Sequence, residues 1–388
     1  MSRTEEPPHP TGPLRGVRAI ELAGLGPAPF GAMLLADLGA EVIRVDRPGE
    51  RAAGNPLDPT HDLLARGRRS VALDLKKPAA VEALLRLVEG ADVLIEGFRP
   101  GVTERLGIGP DVCLARNPRL VYGRMTGWGQ SGPLAARAGH DINYIAVAGG
   151  LDPIGHQDGP PVPPVNLLGD FGGGGMLLAL GVVAAVLRAR ESGYGQVVDA
   201  SIVDGTAVLT TILHALRAQG EWVDRRGSNL LDGGAHFYGV YACADGRYLA
   251  VGAIEPQFYQ RLLQLLGLAD DPDFVAGHSD RTYWPKLRKR LADTFATRPQ
   301  AEWLELLSDE DTCVAPVLSL GESPAHPHNR ERGTFTEVNG IVQPAAAPRF
   351  SMDQPGPPQP PPLPGEHSRD VLAEAGLSAA EIEAALAG

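Results

Sequence analysis

Within about fifty residues the sequence gathers a histidine, a carboxylate and an unusual density of glycine: Gly127-Trp-Gly-Gln-Ser-Gly-Pro133, Ala138-Gly-His-Asp-Ile-Asn-Tyr144 and Asn166-Leu-Leu-Gly-Asp-Phe-Gly-Gly-Gly-Gly175. Histidine is the side chain whose ordinary pKa lies nearest neutrality, and glycine lets backbone approach a ligand closely. Asp170 stands just before a glycine run and an apolar stretch, so it is expected at a helix N-terminus among unpaired amides. A simple helix cap would account for an aspartate there equally well. His140 taken singly reads as a loop histidine satisfied by backbone. Together, His140 and Asp170 fit acid/base work on a bound ligand.

The elements that must position them alternate in type. Strand patterns at Arg18–Leu22, Glu41–Asp46, Ser70–Asp74, Val93–Glu96 and Leu120–Met125 enclose helical patterns at Pro29–Leu38, Ala79–Val88 and Val102–Leu106. That alternation predicts an α/β fold with a mostly parallel, Rossmann-like sheet in a large domain, residues 14–200, after a loose tail, 1–13. Met176–Leu187 reads as a buried helix, too short and too soon followed by Arg188 and Arg190 to cross a bilayer. Residues 201–229 read as a helical connector, and residues 230–318 as a smaller α+β domain opening on the hairpin Tyr238–Cys243 and Tyr248–Val251 around Asp-Gly. Residues 319–388 return to the large domain through a proline-rich tether, Gln354–Pro364, and end in a helix, Ala379–Leu386.

Gly24-Leu-Gly26-Pro-Ala-Pro-Phe-Gly31 invites comparison with a dinucleotide fingerprint, Asp46 following at the end of the next strand. Its third glycine falls two places late, and Pro27 and Pro29 remove amides that a pyrophosphate would need. A structural strand-to-helix turn fits better. With 388 residues, 43% of them hydrophobic, the chain can fill more than one core, and its net charge of −12 argues against a nucleic-acid partner. Cys113, Cys243 and Cys313 lack disulfide or zinc spacing, which suits a reducing, cytoplasmic setting. No secretory, lipidation or peroxisomal signal is read, and no membrane insertion is expected.

Further segments extend the pattern: Val42-Ile-Arg-Val-Asp-Arg-Pro48, Leu73-Asp-Leu-Lys76, Leu94-Ile-Glu-Gly-Phe-Arg-Pro-Gly101, Gly195-Gln-Val-Val-Asp-Ala200, Ala250-Val-Gly-Ala-Ile-Glu-Pro-Gln-Phe-Tyr259 and Pro364-Gly-Glu-His367. With Ala138–Tyr144 and Gly169–Gly174 these make the chain resemble the class III coenzyme A-transferase superfamily over nearly its whole length. The block Gly-His-Asp-Ile-Asn-Tyr is similar to that of its racemase branch.

The resemblance implies an interlocked homodimer, an acyl-CoA substrate and no cofactor or metal, coenzyme A being part of the substrate. It implies that His140 and Asp170 are the catalytic acid/bases and that Glu255 orients the histidine. Coenzyme A binding would draw on Arg47, Leu73, Asp74, Leu75, Lys76, Arg99, Gly139, Asp141, Ile142, Asn143 and Tyr144, with Tyr238 near the acyl group. Independently, Arg44, Arg47, Arg66, Arg68, Arg69, Lys76 and Lys77 concentrate positive charge near one sheet edge, where phosphates are natural counterions.

The implied reaction inverts the α-carbon of 2-methylacyl-CoA thioesters by two-base proton transfer through an enolate. A transferase using Asp170 as nucleophile is the alternative. The α-proton is less acidic than imidazolium by more than about ten pKa units, or upward of ~14 kcal/mol. An oxyanion site is therefore required, and the amides of Gly169–Gly173 are its expected donors. Two features depart from the family pattern: a long stretch at Glu50–Leu64, and His236 where proline is expected, which leaves acyl preference open.

Overall fold

The computed structural model describes residues 11–49 and 57–387. Expectations for residues 1–10, and for Glu50 to Pro56 of the long stretch, lie outside the described residues. The chain divides into two units: Met1–Ala148, Val165–Leu209 and His328–Gly388 form the first, Gly149–Pro164 and Thr210–Pro327 the second. Of the expected connector 201–229, residues through Leu209 belong to the first unit and the remainder to the second.

The first unit is built on six strands, β1 (Arg18–Leu22), β2 (Glu41–Asp46), β3 (Arg68–Ala72), β4 (Val93–Glu96), β5 (Val121–Thr126) and β6 (Val197–Ser201), in the order β3-β2-β1-β4-β5-β6. All five pairings are parallel. Apolar side chains alternate between two covered faces, as a parallel sheet requires. Ala19, Val42, Val93, Ile95 and Val121 pack with the helices Pro27–Asp37 and Leu177–Ser192. Ile20, Ile43, Leu94 and Tyr122 face the helices Pro78–Glu89, Pro110–Arg116, Ser368–Glu374 and Ala379–Leu386.

The outer edge, β3, is covered by the returning chain. His367 N–H donates to Ser70 O at 2.9 Å, Ala72 N–H to Ser368 Oγ at 3.0 Å and Gly365 N–H to Ser70 Oγ at 2.7 Å. These bonds occupy groups that would otherwise template another strand. A two-stranded hairpin, β10 (Phe335–Val338) and β11 (Ile341–Pro344), turns at Asn339 and Gly340, both at positive φ.

The expected apolar helix is longer than Met176–Leu187. It begins as a π-helix, Leu167–Met176, and continues as the α-helix Leu177–Ser192. The 26-residue run Leu167–Ser192, whose most apolar 18-residue window has a mean hydropathy of 1.8, is therefore long and apolar enough to cross a membrane by length and composition. Leu178, Val182, Ala185, Val186 and Ala189 on it are nevertheless buried with the sheet.

In the second unit β7 (Tyr238–Ala242), β8 (Tyr248–Gly252) and β9 (Val314–Pro316) form an antiparallel sheet in that order. It packs with the helices Pro256–Leu265, Trp284–Phe295 and Gln300–Leu307 around Phe237, Tyr259, Phe274, Trp284, Phe295 and Trp303. His236 is fully buried there, 0% exposed, its Nε2 2.6 Å from the Tyr259 hydroxyl. It is a core residue of this unit.

Candidate active site

In an open parallel sheet a ligand sits beyond the carboxyl ends of the strands, where strand order reverses. Here that place lies between β1 and β4, bordered by Ala23–Gly26 after β1 and Gly97–Pro100 after β4. Asp170 reaches it. A Cβ built on Gly26, whose φ is +69°, would lie 3.1 Å from Asp170 Oδ2, so the left-handed turn at Gly26 leaves the room that the carboxylate takes.

Asp170 rides on the first turn of the π-helix, a helix form found frequently at functional sites. Val165, at φ 60°, precedes that helix, a left-handed conformation that costs a β-branched residue free energy. The glycine run brings backbones together. A Cβ on Gly205 would fall 1.8 Å from Gly173 O, one on Gly174 2.9 Å from Pro27 Cβ, and one on Gly175 2.6 Å from Pro27 O. This corrects the oxyanion expectation. The helical ladder begins with Phe171 N–H on Asn166 O at 3.3 Å, and Asp170 N–H is taken by Asp141 Oδ1 at 2.6 Å. The amides without intrahelical acceptors are that of Asp170, taken by Asp141, and those before it.

The Asp170 carboxylate is half-buried and accepts from Asn166 Nδ2 at 3.3 Å. Burial raises its pKa, the Asn166 bond opposes that, Asp141 raises it further and His140 lowers it. His140 thus stands within electrostatic reach of Asp170. It is exposed at the start of the helix Asp141–Val147, its N–H donating to Asn143 Oδ1 at 3.0 Å. Of the expected coenzyme A-binding stretch Gly139–Tyr144, the part from Asp141 onward is therefore helix.

Tyr144 packs edge-on to Trp128 with ring centroids 4.8 Å apart, and its hydroxyl donates to Gly139 O. Burial raises the phenol pKa, Asp170 adds to it and Arg99 opposes, so Asp170, Tyr144 and Arg99 share one neighbourhood. Cβ atoms at Gly127 and Gly139 would lie 2.0 Å and 2.7 Å from the Tyr144 ring, which explains two of the glycines in the sequence blocks.

The other expected coenzyme A residues follow the carboxyl ends of β2, β3 and β4, at this same end of the sheet. Arg47, Lys76 and Arg99 are exposed, as are Ile142 and Asn143; Leu75 is half-buried, Asp74 accepts the Lys76 N–H at 3.1 Å, and Leu73 is core. Arg44 departs from expectation. It is 8% exposed, with Nε 3.0 Å from Asp46 and Nη1 3.8 Å from Asp62. Most of the basic cluster is likewise consumed internally: Arg66 pairs with Asp37, Arg68 with Glu21, and Arg69 with Glu41 and Glu374, while Lys77 Nζ donates to Ala387 O. The charge concentration read from sequence is thus largely neutral in three dimensions. Glu255 and Tyr238 lie in the second unit, Glu255 exposed before the helix Pro256–Leu265 and Tyr238 opening β7.

Asn166 and the inward side chain of Asp141 were missed as contributors. Asn166 stands four residues before Asp170, a spacing that places both on one helix face once the helix is known to begin at Leu167. Among the described residues no group of three or more His, Cys, Asp and Glu is arranged to hold a metal ion. Chemically, the site offers a titratable imidazole and a carboxylate of raised pKa at one end of the sheet, a pair able to exchange protons with a bound ligand.

The sequence matches CoA-transferase family III over residues 14–368. It is 47% identical to alpha-methylacyl-CoA racemase of Mus musculus over 95% of each chain, and 46% identical to that of Homo sapiens over 95% of each. The crystal structure of a CAIB/BAIF family protein from Brucella suis superposes with a TM-score of 0.82 at 26% identity, covering 94% of this chain and all of that one.

Proposed function

The chain belongs to CoA-transferase family III, and from that membership we propose that it is a racemase inverting the α-carbon of 2-methylacyl-CoA thioesters. The observation that carries the reading is His140 in electrostatic reach of Asp170 at the switch point of the sheet, joined to 47% identity with a racemase. One group takes the α-proton from one face, and the C–H electron pair moves to the thioester oxygen as an enolate. The other group returns a proton to the opposite face. Either side chain is the base, according to which epimer arrives.

Glu255 orients His140 in this reading. Arg47, Leu73–Lys76, Arg99 and Gly139–Tyr144 hold coenzyme A, which arrives with the substrate, and no cofactor is required. A homodimer accords with the exposed stripe Met176, Leu180, Val183 and Leu187, spaced along one face of the long helix. The free thiols Cys113, Cys243 and Cys313 accord with the cytoplasm.

The test is α-deuterium exchange across a panel of 2-methylacyl-CoA thioesters in D2O. Solvent deuterium enters the α-position, and His140→Ala abolishes entry while coenzyme A affinity stays within a few fold. No entry with any thioester sinks the racemase reading. Trapping of Asp170 by hydroxylamine in the presence of acyl-CoA would instead mark it as a transferase nucleophile.

A further inference from the structure

Asp141 follows His140 in sequence but is buried, 8% exposed, whereas His140 is exposed. Its Oδ1 accepts the backbone N–H of Asp170 at 2.6 Å. A Cβ on Gly169 would lie 2.3 Å from that oxygen and 2.7 Å from Ile145 Cγ2, so the carboxylate is seated on a residue that has to be glycine. Its second oxygen, Oδ2, is buried with no hydrogen-bond partner among the described residues. A carboxylate buried in that way costs stability, and an apolar side chain would fill the volume at less cost. Its contribution is geometric: one carboxylate spans the two chain segments that carry the acid/base pair.

We propose that Asp141 is a positioning residue, whose buried carboxylate ties the Asp170 backbone to the segment bearing His140 and so sets the placement of the two proton-transfer groups. The inference rests on the racemase reading for its kinetic consequence, though not for its structural one. The tie also places a like charge beside Asp170, which helps to raise the Asp170 pKa beyond the effect of burial. Asp170 faces His140, Asp141 and Tyr144 from the helix Asp141–Val147 and Asn166 from its own. On the helices packed against it, Asp204 is bonded to Ser201 and Asp37 is paired with Arg66.

Two variants separate placement from charge. Asp141→Ala removes the acceptor and should lower kcat for α-exchange by about 10²-fold, as a misplaced reacting group does. Asp141→Asn keeps an oxygen acceptor and restores most of kcat. In the direction where Asp170 is the base, it moves the acid limb of the pH–rate profile to lower pH, because a like charge is gone. A carboxyl-carbon NMR titration of Asp170 in the ligand-free protein should show the same downward move in Asp141→Asn without any turnover, and it stays decisive if Asp141→Ala does not fold. Unchanged kcat in Asp141→Ala, or an unchanged Asp170 midpoint in Asp141→Asn, overturns the proposal. A wild type that shows no α-exchange but an Asp141-dependent Asp170 midpoint refutes the racemase reading and supports the positioning role.

Discussion

His236 shows how a single residue can be conspicuous in sequence for one reason and important in the fold for another. Its Nε2 meets Tyr259, whose hydroxyl donates to Phe274 O at 2.9 Å, so the histidine supplies the proton between them, and Nδ1 has no partner among the described residues. Burial, then His278 and Arg288, push its imidazole down to about 3. The unfolded chain binds a proton below about pH 6.5, whereas the folded one does not until near pH 3. Stability contributed by the neutral ring is thus whole above that window and falls as pH drops through it, with a slope approaching ~1.4 kcal/mol per pH unit. Urea unfolding at pH 7, 6 and 5 should show His236→Phe with a shallower decline than wild type; parallel declines would remove the assignment.

Among the elements, β1, β2, β4 and the helix Ala379–Leu386 were legible because period-two and three-to-four patterns survive wherever one face meets a core. β6 was not marked as a strand, since Val197–Ser201 pairs on one side only and two of its residues are exposed. The hairpin at Asn339-Gly340 does carry a strong turn signal, Asn-Gly between β-branched residues, but its strands are short and half exposed. The proposed pair, His140 and Asp170, stands out in the sequence by residue type, whereas its supports do not. Glycines that serve helix packing look in sequence like glycines that serve a ligand, and an aspartate turned inward looks like one turned outward. The packing role is testable at Gly205, where any Cβ meets Gly173 O. Gly205→Ala should cost roughly 1–3 kcal/mol of unfolding free energy. It should also slow α-exchange, because the displaced π-helix carries Asp170. A variant with wild-type stability would show that the two helices can part without strain.

At the scale of the whole molecule, the long helix has a double character. One side is core, while Met176, Leu180 and Leu187 stand 56%, 66% and 64% exposed in the single chain. Exposed apolar stripes of this kind mark contact surfaces. If the stripe joins the proposed homodimer, a carboxylate at its centre breaks it: Leu180→Asp is expected to sediment at the mass of one chain where wild type sediments at two. A wild type that sediments as a single chain would leave the stripe without this explanation.

The closure of β3 by Gly365–Ser368 has a consequence in time. The strand is made early, yet its cover follows the whole of Thr210–Pro327, which belongs to the other unit. At about 5–20 residues per second, translation leaves that flank bare for on the order of tens of seconds. Through that interval the nascent chain presents an unclosed parallel sheet to every neighbour, so chaperone demand during synthesis is set by the order in which the gene delivers its segments.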